Sequence, residues 1–265
     1  MRKLAAGLFA MALAITGVAC GEEGGGGGGD SVDALALAAD KATEAGTATM
    51  TMTMEMSAAG QTVSVDAEGE LDFANELAEM TMTMAVPGTP GEQTIKMVME
   101  GNYIYMELPP ELGGTGDWVR MDASAIPGAA TNPQMSQDPS QYLEFLRGAS
   151  EDGLEEVGTE KIDGDETTHY KAELSFEKIL DQAPDEEAAD EIRAQLEQFG
   201  GEVDSIPADV WIDEEGLPRQ MKLDMSMEAQ GQSIEMLITM GFSDYGAEVD
   251  IEPPADYEEI EAPTG

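Results

Sequence analysis

Past the first thirty residues, the apolar positions of this chain fall on two periods. Val32, Leu35 and Ala39 share a helical stripe, preceded by Asp30-Ser31 and followed by Gly46. This predicts a helix over 32–45, capped by the polar pair and stopped by the glycine. From Thr49 the period becomes two. Thr49-Met50-Thr51-Met52-Thr53-Met54-Glu55-Met56 alternates strictly, as do Val63-Val65-Ala67 and Leu71-Phe73. Met80-Met82-Met84, Ile95-Met97-Met99 and Ile104-Met106-Leu108 continue the pattern, and Trp118–Met121 adds a short strand. Turn-forming pairs at 59–60, 74–75 and 101–102 punctuate the runs as hairpins. Alternation of this kind gives each strand one buried and one wet face, the mark of antiparallel sheet.

The middle of the chain reads differently. Residues 127–139 form a Pro-, Ala-, Asn- and Gln-containing loop, with a short helix over 140–147. Strands return over 155–162 and 166–174 around Asp163-Gly164, and helices follow over 176–182 and 186–199. Three last strands lie over 210–213, 221–227 and 234–242, the first two joined at Glu215-Gly216. The fold class is therefore α+β, with about ten or eleven strands in antiparallel sheet and several helices. Helix followed by strands occurs twice, which suggests two similar halves, although no residue-level repeat proves it.

Length and composition narrow the function. The chain has 265 residues, enough for one large domain or two small ones, and a formal charge of −43. A field of that sign repels phosphate backbones, so nucleic acid is not a partner, and a polybasic membrane-surface mode fails likewise. Apolar residues make up 42% of the chain, too many for wholesale disorder. A single Cys forbids an internal disulfide or a Cys-rich zinc site, and a single His removes most His-based metal and triad chemistry.

That cysteine has an address. Met1-Arg2-Lys3 is a positive n-region, followed by an apolar run over 4–19 and then Cys20. The run is shorter than the roughly 20 residues that span a bilayer and fits a secretory leader. Gly17-Val18-Ala19-Cys20 resembles a bacterial lipobox, with Cys20 as the lipid anchor after removal of 1–19; position −3 is Gly17 where Leu is usual. The alternative is a plain secretory peptide with Cys20 incidental. Residues 20–30 then read as a lipidated Cys with a Gly-rich tether, about 15–20 Å from end to end.

The later strands carry a family resemblance. Asp209-Val210-Trp211-Ile212-Asp213 with Gly216-Leu217-Pro218-Arg219 resembles the late hairpin of the actinobacterial LppX/LprG-type cell-envelope lipoproteins. Phe242-Ser243-Asp244-Tyr245-Gly246, Val249-Asp250-Ile251 and Pro253-Pro254 resemble that family's closing segment, and Lys161–Gly164 through Thr168-His169-Tyr170 its central hairpin. The resemblance implies a LolA-like fold: a strongly bent antiparallel sheet, a half-barrel, wrapped over helices around an apolar cavity. It also implies a single lipid-binding domain over 31–252 with an acidic tail over 253–265. The implied role is binding of acylated lipids or glycolipids and their carriage through the envelope. A location on the extracytoplasmic face of the cell membrane follows, with a palmitate-type anchor and envelope transport proteins as partners.

Methionine is the compositional outlier, 19 in all, most of them in strands at i, i+2 spacing. The plain reading is a core filled by Met in place of Leu or Val. The functional reading is an adaptable wall for acyl chains, since thioethers fit variable apolar partners. The expected cavity residues are Met52, Met54, Val63, Val65, Met82, Met97, Met225, Met236 and Ile238. A third reading is Cu(I), because thioethers are soft ligands. Along one strand, however, Met-x-Met sets sulfurs about 6–7 Å apart, too far to share an ion without cross-strand help. The usual His or Cys partner is also missing.

The remaining candidates are weaker. His169 lies on the polar side of its strand and reads as a surface histidine. No nucleophile elbow, Ser-x-x-Lys, EF-hand spacing or distinctive carboxylate pair is present, so no catalytic residue, metal or cofactor is expected. The acidic runs 185–187 and 258–259 read as solvated charge. Trp118 and Trp211 belong to the core or line a cavity mouth, with the core the simpler reading. The loop over 127–139 is a lid or an insertion. The leading function is a non-enzymatic, membrane-anchored lipid carrier. The alternative is a ligand-free envelope scaffold or signalling lipoprotein acting through its acidic surface.

Overall fold

The computed structural model describes residues 28–58, 60–85, 91–110, 114–122, 154–175, 189, 205–229 and 232–260. Its elements are α1 (Gly28–Glu44), β1 (Thr47–Ala58), β2 (Gln61–Asp72), β3 (Leu77–Ala85), β4 (Glu92–Glu100), β5 (Tyr103–Glu107) and β6 (Trp118–Asp122). They continue with β7 (Glu155–Ile162), β8 (Asp165–Ser175), β9 (Ser205–Asp213), β10 (Pro218–Ala229), β11 (Gln232–Ser243) and β12 (Glu258–Glu259). The strands form one open sheet in the order β12-β6-β5-β4-β3-β2-β1-β11-β10-β9-β8-β7. Every pairing is antiparallel except β12 with β6. Two meanders, β1–β6 and β7–β11, thus meet where the first strand pairs with β11.

Two expectations are adjusted. Among the described residues the strands number twelve rather than ten or eleven, because Glu258–Glu259 adds a short edge strand that no alternation announces. One helix is described in place of several; those expected over 140–147, 176–182 and, residue 189 apart, 186–199, and the loop over 127–139, lie outside the described residues.

Helix α1 begins at Gly28, four residues before the expected start, and so takes in residues read as tether. At the other end Gly46 adopts φ +85°, a conformation that favours glycine, and the Ala45 and Gly46 amides donate to the Lys41 and Thr43 carbonyls. The Gly46 carbonyl then accepts from Phe73 N at 2.9 Å, tying the helix end to the end of β2. Leu35, Ala38, Ala39 and Ala42 are buried. A stripe made mostly of alanine lets α1 lie close against the sheet, where it touches β1, β10 and β7.

The register arranges the apolar face in rows that run across the strands. Ala48, Leu71, Ala78, Met99, Ile104 and Met121 form one row from β1 to β6. Another runs Tyr170, Val210, Met221, Met240, Met52, Ala67, Met82 and Ile95 from β8 to β4. Gly69 sits in such a row between Met50 and Met80. A Cβ there would strike the Glu79 carbonyl oxygen and come within 2.9 Å of Met80 Cγ, so glycine leaves the room these two methionines fill.

The other face is polar over most of its width, with Thr49, Thr51, Thr53, Glu55, Asp66, Glu68 and Glu70 on β1 and β2. Over β3–β6 it carries a second, smaller core. Val98, Tyr105 and Ile251 are buried there, with Leu77, Trp118 and Val249 packed against them. The closing segment covers this patch and ends in β12. Arg120 lies 4.4 Å from the centroids of both Tyr103 and Tyr257 and pairs with Glu259. The pair Glu258-Glu259, expected as solvated charge, therefore anchors the edge of the sheet.

Candidate functional site

All of the expected cavity residues share the apolar face. Met52 and Ile238 are buried in the main core, whereas Met54, Val63, Val65, Met82, Met97, Met225 and Met236 are half-buried. The difference follows position along the strand, not residue type. On β1 the inward series Met50, Met52, Met54, Met56 passes from 0% exposure to 38%. Its partners on β11 and β10 follow the same gradient: Met240 and Met221 are buried, Met236 and Met225 half-buried. The face is closed near α1 and open towards the β1–β2 and β10–β11 hairpins.

The closed end is locked by the motif residues that carry the family resemblance. The Asp213 carboxylate is buried, accepting from Leu217 N at 2.8 Å and from Arg219 Nε at 2.7 Å. Arg219 reaches Asp165 as well, at 3.2 Å. The Tyr245 hydroxyl donates to the Pro218 carbonyl at 2.7 Å, and burial pushes its ionisation well above the ordinary value, with Arg219 opposing and Asp213 assisting the rise. Lys41 of α1 donates to the Glu215 carbonyl in the same turn, and Gly246 N to Thr47 O at 3.0 Å. These residues hold the sheet end together and meet the helix; their role is structural.

Neither tryptophan joins the main apolar face. Trp118 lies in the small core under the closing segment. Trp211 is buried on the opposite side because its neighbour Val210 points inward. Its ring stacks on His169 with centroids 4.4 Å apart, Lys222 lies 5.3 Å from it, and its indole N–H donates to Glu160. His169 sits on the polar side as expected but is enclosed by this stack. Its Nε2 lies 2.6 Å from Asp209 Oδ1 and its Nδ1 3.3 Å from Glu160 Oε1. Sequence reasoning missed the cluster because its members are dispersed over β7–β10. The Trp-to-His pairing across β8 and β9 becomes visible only with the register.

On the polar face at the open end lies a groove of about 410 Å³, lined by Glu55, Ser57, Thr62, Asp224, Glu235 and Leu237, with Met236 at its edge. Cys20 and the leader lie outside the described residues. Among the described residues no helix is long and apolar enough to cross a membrane.

Comparison with known proteins places this architecture. The family described as "Family of unknown function (DUF6612)" matches residues 32–257. The chain belongs to that family. No curated protein sequence matches it. Among solved structures it is similar to LprF from Mycobacterium bovis, with 13% identity and a TM-score of 0.50 over 86% of this chain and 98% of LprF. The Mycobacterium tuberculosis lipoprotein LppX matches with 18% identity and a TM-score of 0.45 over 84% of this chain and 99% of LppX. The resemblance to LppX/LprG-type lipoproteins that the late motifs carry is thus met at the level of the fold.

Proposed function

We propose that this chain is a non-enzymatic, membrane-anchored lipoprotein that holds an acylated lipid or glycolipid against the apolar sheet face and carries it through the cell envelope. The observation that carries the reading is the gradient of cover. The methionine rows continue beyond the residues buried beneath α1, so the apolar face is wider than the described core closes. Open antiparallel sheets rarely exceed ~10 strands without curling, and a curled sheet of this width encloses more inner surface than one helix fills. Burying acyl chains there gains about 0.8 kcal/mol per CH₂. Lipidation of Cys20 and the glycine run after it would keep the carrier on the extracytoplasmic side of the membrane that holds its cargo. Envelope transport proteins are the expected partners.

Replacing Met54 or Met82 by Trp tests the reading. Overpacking a solid core costs about 1–3 kcal/mol, whereas an indole entering a lipid cavity fills volume that acyl chains need. Labelled-glycolipid uptake is expected to fall steeply in both variants while their melting temperatures stay near the wild type. A wild type that takes up no lipid, or variants that lose stability and uptake together, would leave the scaffold reading in its place.

A further inference from the structure

The register brings together what no single strand can. Met225 on β10 faces Met236 on β11, and Met236 faces Met56 on β1. Adjacent strands lie about 4.8 Å apart, so three thioethers stand side by side on one face. Each methionine has three rotatable bonds, which let the outer two sulfurs lean over the middle one. We propose that Met56, Met225 and Met236 form a three-thioether site for a soft monovalent cation, Cu(I), at the open rim of the sheet.

Two features separate this triad from the other methionines. It is accessible: Met56 is 38% exposed and its two partners are half-buried. Four residues further along the same three strands, Met52, Met240 and Met221 form an equivalent row whose exposures are only 8%, 3% and 1%. Each rim methionine is also preceded by a carboxylate, as Glu55-Met56, Asp224-Met225 and Glu235-Met236; by strand alternation these three side chains project from the opposite, polar face of the sheet, where they line a groove at the same end. Their field draws cations towards this end of the sheet without setting a carboxylate beside the sulfurs.

Ligand chemistry sets the selectivity. Thioethers favour Cu(I) over hard divalent ions, and among the described residues no group of three His, Cys, Asp or Glu side chains could hold a metal ion. Thioethers also need no deprotonation. Binding therefore persists at a pH where thiol or imidazole ligands would be lost to protons, in contrast to sites built on those groups. The site stands independently of the lipid reading, since it uses the rim and requires no cavity.

The test uses the full chain carrying Cys20→Ser, which removes the lone thiol. Ag(I), a redox-inert stand-in, is titrated calorimetrically in chloride-free buffer at pH 7 and pH 5, and Cu(I) is competed against bicinchoninate under ascorbate. The rim variant Met56→Leu/Met225→Leu/Met236→Leu keeps apolar volume. It is expected to lose one equivalent of Ag(I), or to bind it at least about tenfold more weakly. The buried-row variant Met52→Leu/Met221→Leu/Met240→Leu, or Met221→Leu alone if the triple does not fold, keeps that equivalent at both pH values. A wild type that binds no Ag(I) would overturn the proposal. So would a rim variant that binds as the wild type does, or an equal loss in the buried-row variant.

Discussion

The two ends of the apolar sheet face are built from the same residue types and lie in the same register, yet they differ in what surrounds them. Near α1, Ala48, Met50, Leu71, Ala78 and Met99 are closed off from solvent, and a buried carboxylate, an arginine and a tyrosine lock the adjoining turns. Near the hairpins, Met54, Met56, Val63, Met225 and Met236 remain partly open, and Glu55, Asp224 and Glu235 lie across the sheet from them on its polar face. The contrast separates stability from function along a single strand. Residues at the closed end hold the sheet together, and residues at the rim are free to meet a ligand.

The sharpest way to break this comparison is truncation at each end. Leu71→Ala and Met50→Ala remove fully buried side chains and are expected to cost about 2–5 kcal/mol, the transfer term plus the cavity left behind. Met56→Ala, on the same face of the same strand as Met50, should cost less than about 0.5 kcal/mol, as surface substitutions do. Urea unfolding of the three variants measures the difference. Equal costs at Met50 and Met56 would show that the rim is as closed as the end beneath α1, and would remove the basis of the functional reading.

Alternation in the sequence identifies the inward face correctly because a strand's period of two leaves no other choice once one face is apolar. Every residue assigned to that face by alternation, from Met52 to Ile238, lies on it. What alternation cannot carry is cover: Met50, between Thr49 and Thr51, and Met56, between Glu55 and Ser57, both alternate with polar residues, and tertiary packing decides their different burial. The second core was legible in principle. Val98-Met99 and Ile104-Tyr105 place apolar residues on consecutive positions, the sign of a strand covered on both faces. Of the strap that covers them, only 253–265 is expected as an acidic tail, its charged residues masking Tyr257, whereas Val249 and Ile251 stand in the segment that carries the family resemblance. For Trp211 the simpler expectation is the core; its place opposite Val210 follows from the same alternation and its burial from stacking on His169.

A second, intermediate effect sharpens the closed end. The Tyr245 hydroxyl has its ionisation raised above its ordinary value of 10.0, chiefly by burial. The folded state therefore holds this proton more tightly than the unfolded chain does. Its contribution is complete below about pH 10 and is lost as pH rises above that value. Stability measured from pH 8 to pH 11 should fall on the alkaline side, and Tyr245→Phe should flatten the part of the fall that this hydroxyl causes. A slope unchanged by the substitution would show that the ionisation driving it lies elsewhere.

The smallest effect belongs to the rim. Among the described residues Glu55, Asp224 and Glu235 carry no ion pair, whereas the carboxylate at the closed end, Asp213, is held by Arg219. Three like charges around one groove repel each other in the folded state more than in the unfolded chain, where they are far apart. Replacing them together, Glu55→Gln, Asp224→Asn and Glu235→Gln, should therefore stabilise the protein by about 0.5–1 kcal/mol at low salt, on the scale of exposed charge pairs. The gain should vanish in about 1 M NaCl, where the screening length falls to about 3 Å. The wild type, at −43 overall, should itself melt higher as salt is added. A gain that survives molar salt would mean the substitutions act through packing, and a loss at low salt would mean these carboxylates already hold a cation at the rim.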